Sequence, residues 1–461
     1  MVAEHDSETE QGGGLDIPKL YKQIQTIYCQ DRRPWILGYS GGKDSTAILQ
    51  LVFLALADLP KQKRTKTIHV LSSDTLVESP PIVRFIRTTL SQVEREARKR
   101  DIPIETHLVT PDPEDTFWIN LVGRGYPSPN RWFRWCTDRL KIQPANRFIL
   151  EQVSKYGEAV MVLGVRTSES ATRAQAMSLH KIPGQILRRH STLPNAYVYA
   201  PIEDWEFSDV WAFLLQVPSP WGADNRELVA LYKKARGGEC PLVIDTTTPS
   251  CGNSRFGCWV CTVVERDRSM EAFIDGGEEW MEPLLEMRDW LSRIRNDPTM
   301  RASKRRDGRT GLGPFTLDTR KEILRRLLKT QDLVKQELIA GYELEEIQRI
   351  WNDDGDWEDS VLQIIQELGL KDIKVRVVRS ERKLYGTLEF KHLKNLCDKS
   401  DVPVELVQRL ISLEKDVLHL ARRHALPERI EAVFNEAWKL EDDLTFEPEE
   451  TGQNALGSGH P

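Results

Sequence analysis

The sequence predicts an α/β protein in which a parallel sheet carries helices on both faces, followed by a cysteine-rich module and a mainly helical region. Two observations predict this fold class. Strand-like and helix-like patterns alternate through roughly the first half of the chain, which is typical of a parallel sheet. Four cysteines then fall within one short stretch, and helical patterns with long charged faces follow. The predicted strands are 35–39, 66–73, 102–109, 159–165 and 196–202, and the predicted helices between them include 80–100 and 139–155.

Length and composition bound the kind of protein. At 461 residues the chain is long enough for two or three domains with a sizeable core. Because its net charge is −6, a nucleic-acid partner would need local basic patches. No apolar run approaches membrane-spanning length, and the first residues carry no signal-peptide pattern, so we expect a cytoplasmic protein without a membrane partner. The expected divisions are a disordered tail at 1–14, an α/β domain at 15–236, a four-cysteine module at 237–275, a helical region at 276–440 and an acidic disordered tail at 441–461.

The first predicted strand leads directly into a Ser-Gly-Gly turn. The apolar run ends at Ser40, and a helical pattern begins after Gly41 and Gly42. The free N–H groups and the positive dipole end of that helix would face one spot, which suits an anion. Glycine lets the backbone approach without a Cβ, Lys43 adds a positive charge, and Ser40 and Ser45 add hydroxyl donors. An ordinary strand–turn–helix is the alternative, since Gly and Ser are common in turns.

Residues that follow the other strands are further candidates, because ligands of parallel sheets bind beyond the carboxyl ends of the strands. Asp74 follows the second strand and could accept from a ribose hydroxyl or help hold Mg²⁺. A helix cap is the alternative for this residue. After the fourth strand, Arg166 and Arg173 could clamp phosphate oxygens, with Glu169 orienting one of them. A helix start held by surface salt bridges is the alternative there.

A basic and aromatic segment lies between the third and fourth strands. Residues 131–147 contain five Arg or Lys, one Asp and three interleaved aromatic residues. Bases could stack on Trp132 or Trp135 while the arginines hold phosphates; a partly buried aromatic cluster is the alternative. Thr137 is predicted to be a helix N-cap, which places Cys136 at a helix start, where the pKa of a thiol is lowered.

Four of the seven cysteines lie close together after the α/β pattern. Cys240, Cys251, Cys258 and Cys261 are surrounded by Gly and Pro, and the last two form a Cys-Xaa-Xaa-Cys pair. Four thiolates on irregular backbone are what a tetrahedral sulfur site needs. The spacing matches no standard zinc or ferredoxin pattern, so the sequence predicts a metal site without fixing the metal.

A second basic segment lies in the helical region. Residues 301–329 contain ten Arg or Lys against three acidic residues, together with three glycines. A charge run is usually a solvated face, but a basic loop followed by a basic helix also suits a nucleic-acid backbone. We expect Lys304, Arg305, Arg306 and Arg309 to act as an electrostatic grip distant from the reacting phosphate.

Together these segments resemble the PP-loop ATP pyrophosphatases, in the branch similar to phosphoadenosine phosphosulfate (PAPS) reductase, over residues 15–268. Ser40–Ser45 is similar to the Ser-Gly-Gly-Xaa-Asp-Ser loop of that family, and 136–141 and Gly164–Arg166, followed by Glu169 and Arg173, also match it. Within the branch, the four-cysteine module and the long helical extension look like the DndC-type sulfurtransferases of bacterial DNA phosphorothioation. A PAPS reductase is usually shorter and has a C-terminal catalytic cysteine, which this sequence lacks.

The resemblance implies an adenine nucleotide alpha hydrolase-like fold and ATP-dependent sulfur transfer to DNA. ATP with Mg²⁺ would be cleaved to AMP and pyrophosphate, and a backbone phosphate oxygen would be adenylylated and replaced by sulfur. A cysteine desulfurase would supply the sulfur, and other Dnd proteins would be partners. The four cysteines would bind a [4Fe-4S] cluster, with zinc as the alternative, and Cys136 would be an extra ligand or carry a persulfide. The resemblance implies four catalytic residues, Lys43, Asp44, Cys136 and Arg166. It implies that the nucleotide binds to Ser40, Gly41, Gly42, Lys43, Asp44, Ser45, Asp74, Gly164 and Arg166. The implied substrate-binding residues are Arg134, Arg139, Lys141, Glu169 and Arg173.

Three other functions stay open on the sequence. A sulfonucleotide reductase would need a mobile redox cysteine, for which Cys136 is the sole candidate. A tRNA thiolase of the same ATP chemistry usually has Cys-Xaa-Xaa-Cys pairs on both sides of the PP-loop domain, whereas here one pair follows it. A non-catalytic nucleic-acid module would not need the intact Ser40–Ser45 loop.

Overall fold

The computed structural model confirms the α/β prediction. It describes residues 15–169, 175, 178–234, 257–306, 309–356, 358–373, 375, 387–400, 402–417, 427, 430–431 and 433–434. Its sheet contains the strands β1 (Trp35–Gly38), β2 (Ile68–Ser73), β3 (Ile104–Val109), β4 (Ala159–Val162), β5 (Arg188–Arg189) and β6 (Ala196–Tyr199). The strand order is β3-β2-β1-β4-β6-β5. All neighbouring pairs are parallel except β5 with β6.

Helices account for most of the remaining described residues. In the α/β part they are α1 (Ile17–Cys29), α2 (Lys43–Ala57), α3 (Pro80–Lys99), the short α4 (Trp135–Thr137), α5 (Gln143–Tyr156), α6 (Phe207–Gln216) and α7 (Asn225–Lys234). In the helical region they are α8 (Arg268–Asp275), α9 (Glu282–Ile294), α10 (Leu317–Val334), α11 (Gly341–Asp353), α12 (Ser360–Glu367), α13 (Thr387–Ser400) and α14 (Val404–Val417). The described residues also contain two π-helical turns, Ile119–Gly123 and Asp138–Ile142, and short 3-10 turns.

The centre of the fold is the strand–turn–helix unit β1–α2. All four residues of β1 are buried, which is expected of a central strand covered by helices on both faces. Helix α2 is buried almost all round, from Lys43 to Leu56, so it is a core helix rather than an amphipathic surface helix. The turn between β1 and α2 is therefore held on a rigid, fully packed support.

The helical region packs onto the α/β domain through the π-helical turn Ile119–Gly123. The indole of Trp118 donates to the carbonyl of Leu338 at 2.8 Å, and the indole of Trp351 donates to the carbonyl of Val122 at 2.9 Å. Both indoles are buried, and a buried indole N–H needs a hydrogen-bond acceptor, which these carbonyls provide. These bonds join segments that are more than 200 residues apart in sequence.

Several local expectations needed correction. Thr137 is not an N-cap, because it has helical dihedrals within a helix that begins at Trp135. Arg134 occupies the cap position without a capping side-chain bond. Cys136 nevertheless lies in the first turn, as expected. The short antiparallel β5 was not predicted, because two residues, Arg188 and Arg189, are too few to give a periodic pattern. Among the residues described, no helix combines the length and apolarity needed to span a bilayer.

Candidate functional site

The Ser-Gly-Gly turn lies at the carboxyl end of β1 and leads into α2, as the sequence predicts. Gly41 has a φ of +74°, which L-residues with a side chain rarely adopt. Gly42 is the N-cap of α2. The Ser45 hydroxyl donates to the Gly42 carbonyl at 3.0 Å and accepts from the Ser40 backbone N–H at 3.2 Å. The two serines therefore stabilise the turn internally. The positive end of the α2 dipole faces the open side of the turn, called its mouth below, and favours an anion there.

Gly164 brings the loop after β4 against the start of α2. A Cβ at this position would lie 2.8 Å from the carbonyl carbon of Asp44 and 3.0 Å from the backbone nitrogen of Ser45. Neither backbone atom can move away without displacing the helix start. Gly164 thus acts by letting two loops of the candidate site approach each other closely.

A chain of charged side chains connects the same two loops. Lys43 is fully buried, and its Nζ lies 2.6 Å from Oδ2 of Asp44. The other oxygen of Asp44 accepts from Nε of Arg166 at 2.7 Å, and Nη2 of Arg166 lies 4.0 Å from Glu169. Two cations and two carboxylates alternate in this network. Since a buried charge is stable only when it is paired, the network fixes the positions of Lys43 and Arg166 around the turn.

Two aromatic residues of this site were not predicted. The hydroxyl of Tyr232 accepts from the backbone N–H of Lys43 at 2.8 Å, so it satisfies one of the donors at the start of α2. The Nζ of Lys43 lies 5.1 Å from the centroid of the Phe207 ring, a cation–π distance. Tyr232 is 189 residues from Lys43 in sequence, and no local pattern connects them.

Asp74 lies at the end of β2, as expected, but it does not cap α3, whose N-cap is Ser79. Its carboxylate accepts from the backbone N–H of Leu76 at 2.9 Å and from Arg87 at 3.0 Å. The side chain lines a cavity of about 570 Å³ between α3, the Cys-Xaa-Xaa-Cys turn and the segment that joins α10 to α11. Its size is in the range of small-molecule sites, but the turn residues 40–45 do not line it.

The two described cysteines of the predicted metal site approach this same edge of the sheet. Cys258 lies beside the end of β2: its Sγ is 3.3 Å from the hydroxyl of Thr75 and 3.7 Å from Oε1 of Glu78. The backbone N–H of Cys261 donates to the carbonyl of Cys258 at 2.9 Å, which closes the Cys-Xaa-Xaa-Cys turn. Burial, and next the charge of Glu78, raise the pKa of the Cys258 thiol well above its usual value. A thiolate at this position therefore needs a positively charged ligand to hold it.

Cys136 is linked to the same place through its own helical segment. Lys141, about one and a half turns further along, pairs with Oε1 of Glu78 at 3.2 Å, and Glu78 is the residue beside Cys258. In addition, the hydroxyl of Thr262 donates to the carbonyl of Pro129 at 2.7 Å. The segment that carries Cys136 and the turn that carries Cys258 and Cys261 are thus packed together.

The aromatic residues of 131–135 divide between surface and core. Trp132 is 95% exposed and is available for stacking. Trp135 is buried, stacks on Phe117 and donates to the carbonyl of Pro127 at 2.9 Å, so for this residue the buried-cluster interpretation is correct. Next to it, Nη1 of Arg134 is buried and has no hydrogen-bond partner among the described residues, which leaves a cationic donor that an anion could satisfy.

The two predicted basic surfaces meet at one tyrosine ring. The guanidinium of Arg139 lies 5.5 Å from the centroid of Tyr126, and that of Arg306 lies 4.6 Å from the same centroid. Arg306 also donates to the carbonyl of Arg124 at 2.6 Å. Arg306, one of the four residues expected to act at a distance from the reacting phosphate, therefore lies beside the first basic segment. Part of the second basic segment instead serves the fold, since Arg301 and Arg320 are buried.

Three predicted site residues, Arg173, Cys240 and Cys251, lie outside the described residues. Asp74 lines the same cavity as Glu78, and Lys141 pairs with Glu78. The remaining substrate and nucleotide residues fall into two groups. One is the charged network around the turn, with Lys43, Asp44 and Arg166. The other is the surface of Arg134 and Arg139, which the Asp115 carboxylate links to Arg124.

Comparison with known proteins identifies the family. The model of the phosphoadenosine phosphosulfate reductase domain matches residues 34–264, half of the chain, and the chain belongs to this PAPS reductase-like family of ATP pyrophosphatases. A curated relative, an uncharacterised protein of Methanocaldococcus jannaschii, is 26% identical over 242 residues. The match covers 52% of this chain and only 39% of the relative.

The comparison with solved structures finds similarities at low identity. A PAPS reductase of Candida auris in a phosphate complex is 13% identical, with 47% of this chain and 95% of that chain covered and a TM-score of 0.28. The U34-tRNA thiolase NcsA of Methanococcus maripaludis, solved with its [4Fe-4S] cluster, is 12% identical, with 61% and 80% covered and a TM-score of 0.28. Similarities this weak carry no argument about the function of this chain.

Proposed function

We propose that this protein transfers sulfur to the DNA backbone in a reaction driven by ATP cleavage. A non-bridging oxygen of a backbone phosphate attacks the α-phosphorus of ATP, so that pyrophosphate leaves and AMP becomes attached to that oxygen. A sulfide-level nucleophile, released from the desulfurase persulfide with two electrons from a thiol reductant, then attacks the backbone phosphorus, and AMP leaves with the former backbone oxygen. The observation that carries the proposal is that the braced turn after β1 and the described cysteines lie at the same edge of the sheet, next to a basic surface.

The residues of the turn supply the first half of this chemistry. Lys43 and Arg166 are held next to the mouth of the turn, where they would neutralise charge that develops on the phosphates. Asp44 supplies carboxylate oxygens of the kind that Mg²⁺ prefers. Replacement of a backbone oxygen needs a better leaving group than oxide, and adenylylation provides one.

The described cysteines fit a metal centre. Cys258 and Cys261 form a turn in which one thiol is buried beside Glu78, and two sulfur donors at this spacing suit iron–sulfur or zinc ligation. Cys240 and Cys251 would complete the set, with Cys136 as the further candidate. When bound, a [4Fe-4S] cluster would hold sulfur in a reactive, sulfide-level form.

The basic surface supports a nucleic-acid substrate. An exposed tryptophan, Trp132, lies in sequence between Arg131 and Arg134, and Arg139 and Arg306 share the ring of Tyr126. Arginines that hold phosphates next to an aromatic stacking platform are typical of nucleic-acid sites. We expect DNA to lie across this surface, with a phosphate near Arg134 and Arg139.

The first experiment offers DNA, tRNA and PAPS in turn, together with ATP, Mg²⁺, a cysteine desulfurase with cysteine, a thiol reductant and the Dnd partner proteins. We expect sulfur to enter DNA, with one AMP and one pyrophosphate formed for each sulfur. Formation of ADP and phosphate would contradict the ATP pyrophosphatase chemistry. Reduction of PAPS to sulfite without sulfur in DNA would favour the second candidate, a sulfonucleotide reductase, which family membership supports.

The second experiment tests the metal ligands. After anaerobic purification, iron and acid-labile sulfide should be lost from Cys258→Ser and Cys261→Ser, since a site on irregular backbone depends on each ligand. Cys29→Ser is the matched control, because Cys29 is exposed on α1 and far from the turn in sequence. If both variants keep their full iron and sulfide, the proposed ligand set is wrong.

A further inference from the structure

We propose that His69, Glu105 and His107 form a zinc site that ties the edge strand β3 to β2. The site is separate from the cysteines and from the turn after β1. It follows from the register of the sheet, in which His69 of β2 is the partner of Glu105 of β3. His107 is two residues further along β3 and shares the face of Glu105, because side chains in a strand alternate between faces.

The distances between the three ligand atoms fit a metal ion. Nδ1 of His69 lies 3.0 Å from Nε2 of His107 and 3.5 Å from Oε2 of Glu105, and Nε2 of His107 lies 3.8 Å from that oxygen. The circle through these three atoms has a radius of about 2.0 Å, which matches zinc–nitrogen and zinc–oxygen bonds of about 2.0–2.2 Å. One point is thus at bonding distance from all three donors without any movement of the side chains.

The surroundings hold the two rings in this position. His69 is buried, and the ring of Phe148 on α5 packs against both imidazoles, with centroids 5.7 Å and 4.7 Å away. Glu105 is 60% exposed, so a fourth ligand such as water could reach the ion from solvent. Two imidazoles and one carboxylate with an open fourth position are a common zinc donor set.

The location indicates a structural role. His69 precedes Asp74 by five residues, which corresponds to about 16 Å along an extended strand. His107 pairs with Leu71, three residues before Asp74. The proposed ion therefore lies within the body of the sheet rather than at its carboxyl edge, where ATP and the cysteines are expected. It would instead crosslink β3, the edge strand, to its neighbour.

The alternative is that the two imidazoles share a simple N–H···N hydrogen bond. That bond would account for the distance of 3.0 Å between Nδ1 of His69 and Nε2 of His107, but Glu105 would take no part in it. Zinc binding and imidazole hydrogen bonding therefore differ in what they predict for Glu105, and a conservative change there separates them.

The test measures zinc content and thermal stability of the full chain, in wild type, Glu105→Gln, His107→Ala and the control His392→Ala. His392 is exposed on α13. We expect His107→Ala to bind one zinc fewer per chain than wild type, and Glu105→Gln to weaken that zinc at least 10-fold. Excess zinc should raise the Tm of wild type by about 3 °C and leave that of His107→Ala unchanged.

The outcomes are distinguishable from failure of the cysteine site, because the cysteines are intact in every variant. Equal zinc content and equal zinc-dependent Tm in wild type and His107→Ala would overturn the proposal. So would a Glu105→Gln protein with unchanged zinc affinity, because the carboxylate would then not be a ligand. Iron in place of zinc at this position would overturn the choice of metal.

Discussion

The close approach of Gly164 to α2 leads to a sharp prediction for Gly164→Ala. The new methyl group would lie 2.8 Å and 2.9 Å from the carbonyl carbon and oxygen of Asp44 and 3.0 Å from the nitrogen of Ser45. Carbon atoms in favourable contact are about 3.5–4.0 Å apart, so the two loops must separate by about 0.7–1.2 Å. Crowding of this kind costs about 1–3 kcal/mol of stability. Because Asp44 and Ser45 belong to the candidate site, a displacement of up to about 1 Å should also lower turnover by as much as 10²-fold.

The assay compares two alanine variants by urea unfolding and by AMP formation per folded molecule. Gly157→Ala is the matched control: Gly157 has a φ of +83° at the end of α5, but a Cβ there meets nothing within 4 Å. It should lose about 1 kcal/mol through backbone strain and keep its activity. The reasoning is refuted if Gly164→Ala equals wild type in both measurements, or if Gly157→Ala loses as much activity per folded molecule.

Three further predictions follow from other contacts. Lys43→Met should lower AMP formation by about 10²–10³-fold while Arg166 still pairs with Asp44, so a folded protein with full activity would exclude a phosphate-facing role for Lys43. Trp132→Ala should leave the urea midpoint unchanged and weaken DNA binding by about 1–3 kcal/mol. Trp135→Ala should instead cost about 3–5 kcal/mol of stability. Similar midpoints for the two variants would contradict the assignment of Trp132 to the surface and Trp135 to the core. Burial alone would raise the pKa of Asp356, but hydrogen bonds from Ser360 and Gln348 and the charge of Lys321 hold that pKa below its usual value. Asp356 therefore stabilises the fold above about pH 4. The difference in stability between wild type and Asp356→Asn should shrink as the pH falls below about 4 and through the lowered pKa of the folded state.

The sequence predicted those parts of the fold that depend on local patterns. All five predicted strands exist, because each is a run of apolar residues bounded by turn signals, and the turn after β1 has the expected position. Strands β4 and β6 end three residues earlier than predicted, at Val162 and Tyr199. The apolar pattern continues past the last ladder residue in both, and composition alone does not show where pairing stops.

Sequence patterns could not predict contacts between distant segments. Tyr232 reaches the backbone of Lys43 from α7, and Arg306 reaches Tyr126 from the second basic segment. Each of these contacts depends on how helices pack rather than on any periodicity. For Trp135 the sequence left a surface and a buried position open, and the stack on Phe117, which decides for the buried position, is also a contact that no periodicity indicates.

The charged network also bears on how the proposed reaction would begin. Asp44 shares its two oxygens between Lys43 and Arg166, and Lys43 is fully buried. A buried cation cannot leave its carboxylate unless another anion takes its place. Phosphates at the mouth of the turn are such an anion, and as Lys43 and Arg166 move toward them, oxygens of Asp44 become available to Mg²⁺. Binding of the phosphates by Lys43 and Arg166 would then be coupled to binding of Mg²⁺ by Asp44. We therefore expect ATP affinity to depend on Mg²⁺ in wild type but much less in Asp44→Asn.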